Sequence, residues 1–171
     1  MMGTGPQGLM AILCARAMGA GRIIAVGSGA RLALAESLGA VPIDYRSGNV
    51  VEQVRDLSDG LGIPAVVECA GTAAAIRDCC LSAAKGGVVS VIGIPHEEPL
   101  IPMKRVVLDE IEIVGDRANP NTAGEALSLL ANGRVDLTPL LTHRFPLEQF
   151  SDALETFESR RDGAVKVAVK P

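Results

Sequence analysis

The first residues with chemistry in their spacing stand almost at the amino end. Gly3-Thr4-Gly5-Pro6-Gln7-Gly8 fits G-x-G-x-x-G and opens directly into a stretch of helical periodicity. Glycines at those positions permit a tight turn and close backbone approach, so the N–H groups of a helix N-terminus can point at a pyrophosphate. The glycines alone are a weak signal. The strand–turn–helix unit that follows supplies the context, and it makes Gly3, Thr4, Gly5, Pro6, Gln7 and Gly8 a candidate dinucleotide cradle. At the end of the next strand, about 20 residues on, a carboxylate would take the ribose hydroxyls of NAD. Gly27 and Ser28 stand there instead, with Arg31 nearby. Without a carboxylate nothing repels a 2′-phosphate, while a serine hydroxyl can donate to it and an arginine can neutralise it. This favours NADP over NAD, the plain alternative being that Arg31 is a solvated first-turn residue of its helix.

Such a loop has to be held by alternating strands and helices, and the hydrophobic pattern provides them. Leu9, Ile12, Leu13 and Ala17 recur at helical spacing, which predicts a helix from about Pro6 to Met18 closed by Gly19 and Gly21. Short β-branched runs predict strands at 22–26, 41–44, 65–69 and 88–92, of the kind buried in a parallel sheet. Helices are expected between them at 31–38, 49–57 and 72–84. Glu110 to Val114 alternates charged and apolar residues, which suits an edge strand with one polar face. Thr122 and Glu125 form a capping box for a helix running to about Ala131. Beyond Val135 the pattern gives a strand near 141–144, a helix with Pro146 in its first turn and a last strand at 164–169. The fold class is therefore α/β: a Rossmann-type, doubly wound parallel sheet followed by a strand–helix–strand segment.

Composition narrows the function classes. The 171 residues include 48% hydrophobic and 21% charged residues, so disorder is not expected, and no apolar run approaches the roughly 18 residues of a membrane span. Sixteen basic against twenty acidic residues, with no basic cluster, argue against nucleic acid. Three Phe and one Tyr leave little stacking surface for single strands or carbohydrate. Cys14, Cys69, Cys79 and Cys80 lack zinc-site spacing and read as small buried side chains. No secretory leader pattern opens the chain, which makes the cytoplasm the default.

Longer stretches carry a family resemblance. GTGPQGLMAILCARAMGAGRIIAVGS, followed by LGAVPIDYRSG, VVECAG and GGVVSVIGIP, resembles the cofactor domain of medium-chain, zinc-type alcohol and polyol dehydrogenases. The closing THRFPLEQFSDALETFESRRDGAVKVAV is similar to the C-terminal end of the same family. Proline after the second glycine favours the zinc-type branch over zinc-independent quinone reductases. GRIIAVGS with Asp44-Tyr45-Arg46 further resembles NADP-dependent secondary alcohol dehydrogenases, in which a Gly-Ser-Arg and a later Tyr surround the 2′-phosphate. Gly27, Ser28 and Tyr45 match, and Gly29 stands where that Arg would be. The resemblance implies that Gly3 to Gly8 hold the pyrophosphate and that Ser28, Arg31 and Tyr45 meet the adenosine ribose or its phosphate. It further implies that the backbone of Ile92, Gly93 and Ile94 meets the nicotinamide amide, that Arg117 makes a cofactor contact, and that Lys166 reaches the pyrophosphate.

The implied activity is NAD(P)-dependent hydride transfer between nicotinamide and a secondary alcohol or polyol. In the family the zinc that polarises the alcohol is held by residues N-terminal to the glycine loop. This chain is therefore expected to bind no metal, to carry no catalytic residue and to be inactive alone, zinc belonging to a full-length form. His96 and His143 read as surface or structural residues. Only Met1-Met2 stand where the first, central strand would precede the loop, which would leave the edges of its neighbours open. Residues 1–140 would form the dinucleotide-binding domain and 141–171 a piece of the catalytic domain with little to pack against. Residues 110–114 would pair two copies into a homo-oligomer. Two other readings stay open: a nucleotide-binding or assembly module without catalysis, and a zinc-independent, quinone-reductase-like enzyme.

Overall fold

In the computed structural model, residues 1–117 and 121–171 are described, and they alternate strand and helix as the pattern predicts. The helix α1 (Pro6–Ala17) leads to β1 (Ile24–Gly27), α2 (Gly29–Ser37), β2 (Val41–Asp44) and α3 (Val50–Asp56). Then come β3 (Ile63–Glu68), α4 (Ala73–Ser82), β4 (Ala83–Val91), α5 (Met103–Leu108), β5 (Glu112–Gly115) and α6 (Ala123–Ala131). All strand pairs are parallel: β1 with β2, and β3 with β4 and β4 with β5.

The two halves of this sheet are joined by three residues. Met2 bridges Val26 of β1 and Glu68 of β3, both in parallel sense. Met2 N donates to Val67 O at 2.8 Å, Cys69 N to Met2 O at 2.8 Å, Gly3 N to Val26 O at 2.9 Å and Val26 N to Met1 O at 2.9 Å. The lateral order is thus β2, β1, Met2, β3, β4, β5, the doubly wound order with its central strand reduced to one bridging residue. Farther from the loop, Pro64 and Ala65 on β3 are exposed.

Both faces of the sheet are covered. Ile24 and Val26 turn to a core with Ile43, Val54, Val66, Cys79 and Val89, under α3, α4 and α5. Ile23 and Ala25 turn the other way, to Leu9, Ile12, Leu32 and Ala35 of α1 and α2. This is the period of two of a strand sandwiched between helix layers.

Several boundaries differ from expectation by a few residues, and three of them have a clear local reason. The helix α4 stops at Ser82, before Ala84, because Ala83 is extended and begins β4. The carbonyls its last turn leaves unpaired are taken by guanidinium groups: Arg105 donates to Cys80 O and Ala83 O, and Arg55 to Leu81 O. The edge strand starts at Glu112, after a left-handed Glu110 and a buried Ile111, and all four of its residues are exposed rather than only one polar face. Asn49 is the cap of α3, accepting from Val51 N and Glu52 N, and not its first residue.

The C-terminal segment corrects one expectation. Here β6 (Leu141–Pro146) pairs in parallel with β7 (Lys166–Lys170), and α7 (Phe150–Ser159) crosses between them, so Pro146, with an extended backbone, closes a strand and does not stand in the first turn of the helix. Far from lacking a neighbour, it seats Val165, with Leu140 just before β6, in the α1/α2 core, both nearly inaccessible. Arg31 donates through Nε to Ala164 O at 2.9 Å and again through Nη2, tying α2 to the chain just before β7. The outer side of α7 is the part that stays open, with Phe150, Leu154 and Phe157 exposed. Among the described residues no helix is long and apolar enough to cross a membrane.

Candidate functional site

The carboxyl ends of β1, Met2, β3 and β4 meet beside the start of α1, and the glycines there are fixed by contact. A side chain at Gly8 would overlap the carbonyl oxygen of Gly3, and one at Gly3 would lie 2.9 Å from Ala70 N. Gly3 is also left-handed, at φ +101°, which disfavours any other residue. Gly27 has no room for a side chain because Thr4, 5% exposed, fills it. Gly5 caps α1 without a side chain, Pro6 follows at the first helical position, and the first turn carries no acidic residue. The N–H groups of that turn are left without a side-chain acceptor beside a steric cradle, which is the arrangement that receives an anion.

The next strand end is different in kind. Ser28 caps α2 in an extended conformation without spending its hydroxyl on the cap, and Ser28 Oγ lies 3.4 Å from Tyr45 Oη. Parallel pairing sets Gly27 against Asp44, which brings Tyr45 and Arg46 alongside. Asp44 holds Arg46 at 2.5 Å, and this pair pulls the Asp44 carboxyl down to about 2. The sequence reading places no carboxylate at the β1 end; the structure brings one in from β2, already matched by an arginine. Tyr45 is 56% exposed.

At the β3 end, Glu68 is 0% exposed. Its Oε1 accepts from Ala70 N at 2.7 Å and Gly71 N at 2.9 Å, while its own carbonyl oxygen accepts from Ile92 N and Gly93 N. Oε2 has no partner. Burial and the neighbouring Glu68 push the Cys69 thiol up to about 11.

Of the fourteen residues singled out for the cofactor, the structure gathers Gly3 to Gly8 around the turn, Ile92 to Ile94 across from Gly71, and Ser28 beside Tyr45. Ile94 is exposed, and a side chain at Gly71 would lie 3.2 Å from its carbonyl oxygen. Arg31 is engaged by Ala164 O. Its guanidinium is destabilised as a cation first by burial and then by Arg160. Lys166 borders an open groove on the C-terminal segment with Phe150, Leu154 and Phe157. Arg117 is exposed beyond β5.

Residues 6–132 match the zinc-binding dehydrogenase family. The chain belongs to that family. The sorbitol dehydrogenase of Bacillus subtilis (strain 168) is 33% identical over 174 residues, covering 100% of this chain and 49% of the relative. The alcohol dehydrogenase of Cupriavidus necator is 34% identical over 178 residues, covering 98% and 47%. Among solved structures, an alcohol dehydrogenase from Thermus sp. ATN1 superposes with a TM-score of 0.91 at 33% identity, over 99% of this chain and 50% of that one. A zinc-binding dehydrogenase from Sinorhizobium meliloti 1021, solved bound to NADP, gives 0.90 at 29% identity over 99% and 51%. The chain spans about half the length of these relatives.

A zinc-binding dehydrogenase raises the question of zinc itself. Zinc needs convergent thiolate, imidazole or carboxylate ligands. Among the described residues no group of three or more His, Cys, Asp or Glu converges to hold a metal ion. Cys69 is held protonated by its surroundings, and Glu68, with Oε1 taken by backbone N–H groups, has no second and third ligand converging with it. The described residues do not fit the metal, and no step is assigned to it here. The dinucleotide half of a zinc-binding dehydrogenase does fit, through the uncapped helix start and the cradle that a single methyl group would fill.

Sequence reasoning left Glu68 and the Asp44–Arg46 pair without roles. The local signal for Glu68 was its own turn, since a carboxylate two and three residues before Ala70 and Gly71 can accept from both. The signal for the pair was the parallel register that sets the end of β2 beside the end of β1.

Proposed function

We propose that this chain is the cofactor-binding part of an NAD(P)-dependent oxidoreductase that transfers hydride between nicotinamide and a secondary alcohol or polyol. The observation that carries the reading is the Gly3–Gly8 turn, sterically fixed against Cys69-Ala70 and Thr4, at a helix start with no cap and no acid. Gly3 to Gly8 hold the pyrophosphate, Ser28 and Tyr45 the adenosine ribose, and the backbone of Ile92, Gly93 and Ile94 the nicotinamide amide. Arg117 and Lys166 add contacts from the rim, and Arg31 acts there only if it leaves Ala164. When bound, the nicotinamide supplies the hydride acceptor, and the chain's own residues hold it. NADP is preferred, because Ser28 keeps its hydroxyl free of the α2 cap and Asp44 is already neutralised by Arg46.

Calorimetric titration with NADPH and NADH tests this reading. Tighter binding of NADPH supports it, equal affinity removes the NADP preference, and no binding of either removes the dinucleotide site. Residues 1–140 are read as the dinucleotide domain and 141–171 as part of the catalytic domain. The exposed Ile113 and Val114 on β5, with Met103, Val107 and Leu108 on α5, support pairing of two copies along this edge. Light scattering that shows only monomer at high concentration would remove that pairing. Four free thiols fit a reducing compartment such as the cytoplasm.

A further inference from the structure

Glu68 is a charged residue in a place that stability alone does not favour. A buried carboxylate oxygen without a donor is costly, and such exceptions call for an explanation. Oε2 is buried and unpartnered, although Oε1 of the same group takes two backbone N–H groups. The geometry around it is tight on every side. A side chain at Gly93 would lie 2.5 Å from Oε2 and would overlap Gly71 N. Gly71 is left-handed at φ +67°, held there by the two-bond clamp on its own and the preceding N–H. The Cys69-Ala70 backbone so fixed is the surface on which Gly3 rests, with its missing side chain 2.9 Å from Ala70 N. Glu68 also receives Ile92 N at 2.9 Å and Gly93 N at 3.2 Å on its carbonyl oxygen.

One residue therefore joins the turn at the pyrophosphate end to the strand end at the nicotinamide end. We propose that Glu68 is a positioning residue for the nicotinamide: its buried carboxylate locks the Ala70-Gly71 turn against Gly93, and so sets where the reacting ring is held. The proposal rests on the dinucleotide reading and goes beyond it by giving a role to a side chain that need not touch the cofactor.

The test compares NADH with ADP-ribose, which carries the pyrophosphate and both riboses but no nicotinamide. Glu68→Leu is close in size and offers no acceptor to Ala70 and Gly71. Its affinity for NADH is expected to fall at least about tenfold, while that for ADP-ribose stays within about twofold. Glu68→Gln retains an oxygen for the two N–H groups and should restore NADH binding to within about threefold of the wild type. Equal losses for both ligands in Glu68→Leu would mean general support of the loop and overturn the proposal, as would no loss for either. Gly93→Ala presses on the same joint from the β4 side and keeps the test alive if Glu68→Leu does not fold. It should also lose NADH selectively, and unchanged NADH binding in this variant overturns the proposal. A wild-type chain that binds neither ligand removes the dinucleotide reading itself. A wild-type chain that binds both equally leaves that reading standing and removes only the role of Glu68.

Discussion

The two ends of the sheet's carboxyl edge are made from different materials. From Gly3 to Gly93 the site is backbone fitted against backbone, with Thr4 and Glu68 buried into the gaps. At the end proposed for the adenosine, Ser28, Tyr45, Asp44 and Arg46 are side chains at least partly open to solvent. The first end suits what all dinucleotides share, a pyrophosphate that helix N–H groups can receive. The second offers groups that can be exchanged without disturbing a core. The contrast teaches where tolerance lies: changes in the Gly3–Gly8 turn should cost folding and all binding, changes at the Glu68–Gly93 joint should cost the nicotinamide contribution, and changes at the open end should cost only choice of cofactor.

The largest expected effect tests the closed end. In Gly8→Ala the new methyl group overlaps Gly3 O, so the turn must shift; overpacking of this kind costs about 3 kcal/mol. Loss of the cradle should weaken NADPH and NADH together by about a hundredfold, the same energy expressed in affinity. Calorimetry and a urea melt read the two effects, and normal binding by the Gly8→Ala variant would mean that this end is not closed. The next effect concerns Cys69, whose thiol stands at about 11 against an ordinary 9.0, raised by burial and by Glu68. The sign is toward the unreactive thiol. Two pH units correspond to about a hundredfold less thiolate at neutral pH, and alkylation should be slower than for a free thiol by about that factor. Peptide mapping after brief iodoacetamide treatment should find Cys69 unmodified, and rapid labelling would break the contrast.

Much of the closed end was legible in the sequence, because glycine spacing and β-branched runs are local signals. The Gly3–Gly8 turn, β1 and β2 fall where the pattern puts them, within a residue or two. What was not legible depends on distant chain. The burial of Val165 needs the surface of α2, and the bond from Arg31 to Ala164 spans 133 residues, so the C-terminal segment looked unsupported. Glu68 could be seen closing a strand, but its enclosure comes from Gly93, which enters through the β3–β4 pairing. Arg55 and Arg105 carry no local signal of their partners either, and in the fold they cap α4.

A smaller effect belongs to the open end. Ser28→Ala removes a donor at the ribose and should lower NADPH affinity by about fivefold to tenfold, with NADH nearly unchanged and the melting temperature preserved. Equal losses for both cofactors would mean that Ser28 supports the loop rather than reading the phosphate.

The smallest effect, and the sharpest on the contrast, is at Asp44. Its carboxyl is held near 2, below its ordinary 3.8, chiefly by the side-chain bond from Arg46. A depressed value in the folded state means that the pair stabilises above pH about 4 and loses that contribution as pH falls toward about 2. Because the pair is exposed, the stabilisation is slight and weakens with salt. Asp44→Asn should therefore leave the melt near neutral pH almost unaltered and flatten the acid limb between pH 4 and 2. It also releases Arg46 and removes one negative charge beside Ser28 and Tyr45, so the ratio of NADPH to NADH affinity should rise by about threefold at low salt and less at high salt. A falling ratio would show that Asp44 holds Arg46 in place for the phosphate instead of competing with it. In that case the open end is as preorganised as the closed one.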